Sequence, residues 1–215
     1  MIDSVHSYAF GLGTKNSEGE IIEVYYPKPQ IHPSKTEIQR LMEISNLEDT
    51  GFIELSDKHI ARVRSSIEEG MFSDHTEIFE RISQKATIVL MVQIADSSPK
   101  SIPEAFLKLH LLSHRLAKPN SINLDGLFGI LKNLAWTNQG PIDLMDLPLR
   151  QLEARTNGNL LSIQSVDKFP QMANYIVPSG VRIADTSRVR LGAYIGSGTT
   201  IMHEGFVNFN AGTLG

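Results

Sequence analysis

Residues 183–215 decide the fold. Split into sixes they read IADTSR, VRLGAY, IGSGTT, IMHEGF, VNFNAG and TLG. An aliphatic residue returns at every sixth position: Ile183, Val189, Ile195, Ile201 and Val207, with Thr213 keeping the register. A period of six matches neither the 3.6 of a helix nor the 2 of a plain strand. It matches a left-handed parallel β-helix, in which each hexapeptide is a short strand plus a corner and the aliphatic side chain points inward. Gly192, Gly196, Gly198, Ala211 and Gly212 fall at or near the corners, where backbone crowds backbone. One triangular turn takes about three hexapeptides, so the repeat spans less than two turns. A solenoid needs at least about three repeats to bury its core. The expectation is therefore that this chain is part of a longer molecule.

Upstream of the repeat, the chain alternates between strand-like and helix-like segments. Residues 7–14 and 21–26 read as a β-hairpin around the turn-rich Lys15–Gly19 connector. Gly11-Leu12-Gly13 resembles the start of a phosphate loop, but no helix follows it, so small residues in a hairpin is the preferred reading. Ser34-x-x-Glu37 and Ser101-x-x-Glu104 are capping boxes that open helices. A second helix is expected over Asp57–Glu69, closed by Gly70, and a third from Asp74 to about Ser83. Thr87–Ile94 (TIVLMVQI) is a strand buried on both faces. From Asn120 to Arg155 the apolar spacing again predicts helices, broken by Pro141 and Pro148, with Trp136 in the core. Thr156–Asn159 is a turn. These readings give an α/β N-terminal domain over 1–118, a helical connecting region over 119–164 and the first coils of the β-helix over 165–215.

Composition narrows the function. Charged residues are 20% and the net charge is −4, which supplies no basic field for nucleic acid. There is no cysteine, so disulfides, thiolate metal sites and a cysteine nucleophile are excluded. No leader-like N-terminus and no apolar run of membrane-spanning length are seen, so the expectation is a cytoplasmic protein with no membrane partner. His110 and His114 have the i, i+4 spacing of a two-histidine metal site, but no third ligand accompanies them. The preferred reading is two histidines on a half-exposed helix face. Arg182, Arg188 and Arg190 alternate as if along one strand face, where they could meet carboxylates or phosphates or form structural pairs. Asn208 and Asn210 also alternate, and a side-chain ladder is preferred for them.

The segment GVRIADTSRVRLGAYIGSGTTIMHEGFVNFNAGTLG (180–215) resembles the start of the β-helix in the tetrahydrodipicolinate N-succinyltransferases of actinobacteria and pseudomonads. Its most specific part is MHEGFVNFNAGTLG, Met202 to Gly215. The resemblance implies succinyl transfer from succinyl-CoA to the amine of ring-opened tetrahydrodipicolinate, in lysine and diaminopimelate biosynthesis. It also implies a homotrimer with active sites between neighbouring β-helices. In that branch an acyl-transfer glutamate follows GTLG, so no catalytic residue is carried over and one is expected beyond Gly215. Glu204 matches a carboxylate at the trimer axis that holds magnesium, and three such carboxylates would repel without a cation. Relatives carry Asp where Ser187 stands here, which weakens a second ion site; Asp185 is not given that role. His203 is not read as a dyad partner of Glu204, since neighbours on a strand face opposite ways. Alternatives are another hexapeptide acyltransferase, a γ-type carbonic anhydrase and a non-catalytic trimerisation module. The carbonic anhydrase would need three histidines, and the repeat holds only His203.

Overall fold

The computed structural model describes residues 4–83 and 86–215. Residues 1–3, part of the stretch read as lacking a leader, lie outside the described residues. In chain order the elements are β1 Ser7–Lys15, β2 Ile21–Tyr25, β3 Gln30–Ile31, α1 Lys35–Ser45, β4 Gly51–Glu54 and α2 Asp57–Glu68. Next come α3 Thr76–Arg81, β5 Thr87–Gln93, α4 Ile102–Ser113, α5 Leu127–Ile130, β6 Leu134–Thr137 and β7 Gly140–Asp143. The last are α6 Leu147–Thr156, β8 Ile163–Asp167, β9 Arg182–Ile183, β10 Tyr194–Ile195, β11 Thr200–Ile201 and β12 Gly212–Thr213.

The first sheet runs β2-β1-β5-β4, with β3 also on β1, and its pairings are all antiparallel. The hairpin and the β5 strand fall where the sequence puts them. Strict alternation along β1 and β5 builds two cores. Tyr8, Phe10, Ile88, Leu90 and Val92 point to one face and meet Ile38, Leu41, Val63 and Phe79 of α1, α2 and α3. Ala9, Val89 and Met91 point to the other and meet Phe106, Leu109 and Leu111 of α4. Gly11 is a packing glycine: a Cβ there would overlap the Tyr26 ring. The capping box of Ser34 and Glu37 is formed, and Ser101 accepts from the Glu104 amide.

Two helical expectations are corrected. From Pro103 through Ser113, α4 is buried all round, so His110 is not on a half-exposed face. The sheet covers one side of this helix and the repeat region covers the other, and a helix apolar all round is stable only when enclosed. It stops at Ser113, because Arg115 turns into the left-handed region at φ 64°. Within 120–155 the Leu134–Thr137 stretch is a strand. It lies between β7 and β8 in an antiparallel sheet, with Trp136 buried and its indole N–H donating to Asp167 O at 2.9 Å. Short apolar runs read alike as helix or strand, and here β pairing decides.

In the repeat region, β9 pairs parallel with β11, β10 with β12, and Val189 with Val207. Arg182↔Thr200 and Tyr194↔Gly212 are each offset by 18 residues, which is three hexapeptides. Val189, Ile195 and Ile201 are buried together with Met172 and Ala193, and Ile183 and Val207 pack against them. Gly212 is required: a Cβ there would run into the Tyr194 carbonyl. Among the described residues, no helix is long and apolar enough to cross a membrane.

Candidate functional site

The repeat's polar residues gather at one edge. Thr186–Arg188 is a short 3-10 turn, capped by Asp185, whose Oδ1 accepts from the Ser187 amide at 3.0 Å and hydroxyl at 2.6 Å. These bonds, with Arg188 and His203 nearby, hold the Asp185 carboxyl below its usual range. The Ser187 hydroxyl is thus already engaged. Met202–Gly205 is a tight turn closed by Gly205 N–H to Met202 O at 2.9 Å. His203 and Glu204 occupy its exposed tip, so the strand geometry expected for them is corrected to a turn. Arg188 Nη2 donates to the Glu204 carbonyl at 3.3 Å, while its Nε is buried without a partner.

The three arginines do not share a strand face, because the 3-10 turn separates Arg182 from Arg190. Arg190 makes structural pairs: Nη2 to Asp167 Oδ2 at 2.5 Å and Nη1 to Asn208 Oδ1 at 3.0 Å, with its guanidinium over the Phe169 and Phe206 rings. The asparagine ladder is also corrected. Asn210 sits in the left-handed region at φ 54°, and its side chain bonds to Asn120 instead.

His110 and His114 are not a ligand pair. His110 Nδ1 donates to Phe106 O at 2.8 Å and Nε2 accepts from the Tyr26 amide at 3.2 Å, so both nitrogens are used and the ring is neutral. Burial lowers its pKa to about 3 and that of His114 to about 4. Among the described residues there is no group of three or more His, Cys, Asp or Glu placed to hold a metal. Glu204, the residue expected to ligate a cation, stands at the exposed turn tip outside any such group.

Sequence reasoning missed Glu23. This β2 side chain is buried and accepts from Thr14 Oγ1 at 2.8 Å and from the Tyr175 hydroxyl. Burial raises its pKa to about 7. The signal was present in IIEVYY, a carboxylate inside an apolar strand with no polar face. Tyr175 follows a 3-10 turn at Met172–Asn174 and packs on Tyr25, Phe106 and His110, so Glu23 lies where the sheet meets the segment leading to the repeat.

Family models match residues 22–129 to the tetrahydrodipicolinate N-succinyltransferase N-terminal region and residues 131–171 to its middle region. The chain belongs to this family. The match therefore reaches well upstream of the repeat that first suggested it. Relatives named 2,3,4,5-tetrahydropyridine-2,6-dicarboxylate N-succinyltransferase include one from Pseudomonas putida, 48% identical over 217 residues, covering 100% of this chain and 63% of the relative. Another, from Vibrio cholerae, is 46% identical over 97% of this chain and 62% of its own length. A third, from Salinispora tropica, is 40% identical over 100% of this chain and 61% of its own length. A crystal structure from Campylobacter jejuni, titled a putative 2,3,4,5-tetrahydropyridine-2-carboxylate N-succinyltransferase, superposes with a TM-score of 0.83 at 26% identity, over 98% of this chain and 60% of that one. The chain thus spans about three fifths of the length of the relatives it matches.

Proposed function

We propose that this chain is the N-terminal and early-repeat portion of an N-succinyltransferase that moves succinyl from succinyl-CoA to the amine of ring-opened tetrahydrodipicolinate. The observation that carries the reading is identity of 40–48% over essentially the whole chain to enzymes of that name. In the reaction the amine attacks the thioester carbonyl, the C–S bond breaks, coenzyme A leaves as thiol and the amine proton passes to a base. The base is a glutamate expected beyond Gly215.

Residues 165–215 form the first coils of a left-handed parallel β-helix in this reading. The parallel pairings at an 18-residue offset support it, as does the buried aliphatic stack. Residues 1–118 are the α/β domain and 119–164 the connecting region. The protein acts in the cytoplasm as a homotrimer. Three Glu204 carboxylates meet at its axis and hold magnesium, which neutralises their repulsion. The exposed position of Glu204 at a turn tip supports this placement. Ser187 is a much weaker second ligand than the Asp its relatives carry, and its hydroxyl donates to Asp185.

The test is coenzyme A thiol release from succinyl-CoA and the ring-opened acceptor. The 215-residue chain is expected to give no turnover, and the same chain extended to the length of its relatives is expected to give it. Robust release by the 215-residue chain alone would place the base within these residues and overturn the assignment.

A further inference from the structure

The side of the first sheet that α1, α2 and α3 cover holds an open cavity of about 300 Å³. That is the lower end of the size range of small-molecule sites. It is lined by Tyr8 of β1, Gln30 of β3, Ser34 and Glu37 at the start of α1, and Phe72 and Asp74 of the segment that leads into α3. The Tyr8 hydroxyl donates to Glu37 Oε1 at 3.1 Å, and the Ser34 hydroxyl donates to Glu37 Oε2 at 2.7 Å. Gln30 Nε2 donates to Asp74 Oδ2 at 3.0 Å. Each carboxylate is thus fixed in position by neutral donors, which leave its charge uncancelled. Among the described residues no Lys or Arg lines the cavity.

A second observation comes from His75, the residue after Asp74. It is 1% exposed, its ring centre lies 5.7 Å from that of Tyr8, and neither ring nitrogen has a hydrogen-bond partner among the described residues. Buried polar side chains are nearly always hydrogen-bonded, so His75 is a group that a polar guest would satisfy, directly or through water. The Glu37 and Asp74 charges both reach this ring, as does that of Lys28, which does not line the cavity. Burial lowers the His75 pKa to about 4, so at neutral pH the imidazole adds no positive charge to offset the two carboxylates.

We propose that this cavity binds a small organic cation through N–H donors, an alkylammonium or guanidinium group donating to Glu37 and Asp74. The uncancelled negative charge argues against an anion. A bare metal ion is disfavoured too, since among the described residues no three His, Cys, Asp or Glu are placed together to hold one. The Tyr8 and Phe72 side chains give the carbon part of such a ligand an apolar wall. The cavity lies across the sheet from α4, and α4 is the helix that the repeat is tied to through Ser113 and Gly192. The inference therefore does not rest on the succinyl-transfer reading.

The experiment is calorimetric titration of the chain with n-butylammonium and methylguanidinium chloride, against tetramethylammonium and potassium chloride at equal ionic strength. Saturable single-site binding is expected for at least one of the first two. Tetramethylammonium, which has no N–H to donate, is expected to bind at least about tenfold more weakly, and potassium not to saturate. Asp74→Asn keeps an oxygen for Gln30, and Glu37→Gln keeps the capping box, so both variants should retain the wild-type circular dichroism. Each is expected to weaken binding by about tenfold or more. Nitrogen NMR of the histidine rings should show the His75 resonances shifting as the probe saturates. Absence of saturable binding by either N–H cation overturns the inference. So does equal affinity for tetramethylammonium, binding that both variants leave unchanged, or saturation without a shift at His75. None of these readouts uses succinyl transfer, so their failure leaves the proposed activity standing.

Discussion

The sheet and the repeat region bury their apolar residues in different ways. Each face of the first sheet has its own helical cover, and the strands between them are closed: six of the seven residues of β5 are buried. The repeat has a thin core of Met172, Val189, Ala193, Ile195 and Ile201, and its strands are two residues long. Each of its turns relies on the next turn and on α4 for cover. Leu191 and Phe169 join the α4 core, and Phe169 stacks on Phe209 at 4.3 Å. The sheet carries its own stability, whereas the repeat borrows from the helix beneath it.

The largest effect that separates the halves is expected in the sheet. Phe10 is fully buried among Phe72, His75 and Phe79. Phe10→Ala removes a ring from the centre of that cluster and should cost about 3–5 kcal/mol. Urea unfolding followed by circular dichroism measures it. A loss under 1 kcal/mol would mean the cluster repacks and the sheet is not the rigid half.

The legibility of the two halves differs for the same physical reason. Hairpins, caps and the period of six are local signals, and Lys15–Gly19, Ser34/Glu37 and Ile183–Val207 each carry theirs within a few residues. β6 was hidden because Leu134-Ala-Trp-Thr137 is too short to show a period, and only pairing with β7 and β8 makes it a strand. The sheet order is a long-range property: β5 lies between β1 and β4, segments far apart in sequence. Burial of His110 depends on Tyr25, Tyr26 and Tyr175 closing around it, which no spacing within the helix announces. Glu204 stood out only through the family resemblance. Its turn, the 3-10 turn beside it and the Asn210 conformation are set by contacts such as Asn120 to Asn210. Glu23 was visible as a misplaced charge but not as a group at the junction of the two halves.

A middling effect probes that junction through pH. Burial raises Glu23 to about 7 from an ordinary 4.5, so between those values the folded chain holds a proton that the unfolded chain has released. Stability from this group is complete below about pH 4.5 and falls as pH rises to about 7, by about 1.4 kcal/mol per unit. His75, His110 and His114, all lowered by burial, act oppositely and lose stability as pH falls below 6.5. The difference between Glu23→Gln and wild type isolates the carboxyl. Thr14, Tyr175 and Tyr26 are the groups that face it. The variant should gain on the wild type steadily from pH 5 to 7 and hold a constant lead above that. A pH-independent difference would show that Glu23 ionises freely and that the junction is wet.

The smallest effect concerns the link that ties the repeat to α4. Just past the helix, Arg115 donates from Nε to Ile195 O at 2.6 Å and from Nη2 to Ser179 O at 2.9 Å. Ser113 adds a bond to Ala193 O at 3.2 Å and accepts from the Gly192 amide at 2.8 Å. Arg115→Ala leaves two carbonyls short of a charged donor but near solvent that can replace it, so the cost should be about 1–2 kcal/mol. If the repeat borrows its order from α4, that cost falls on one half only. Amide exchange should quicken across 181–201 while β1 and β5 keep their protection. Equal loosening of both halves would make the molecule one cooperative unit, and the contrast between a self-sufficient sheet and a dependent repeat would fail.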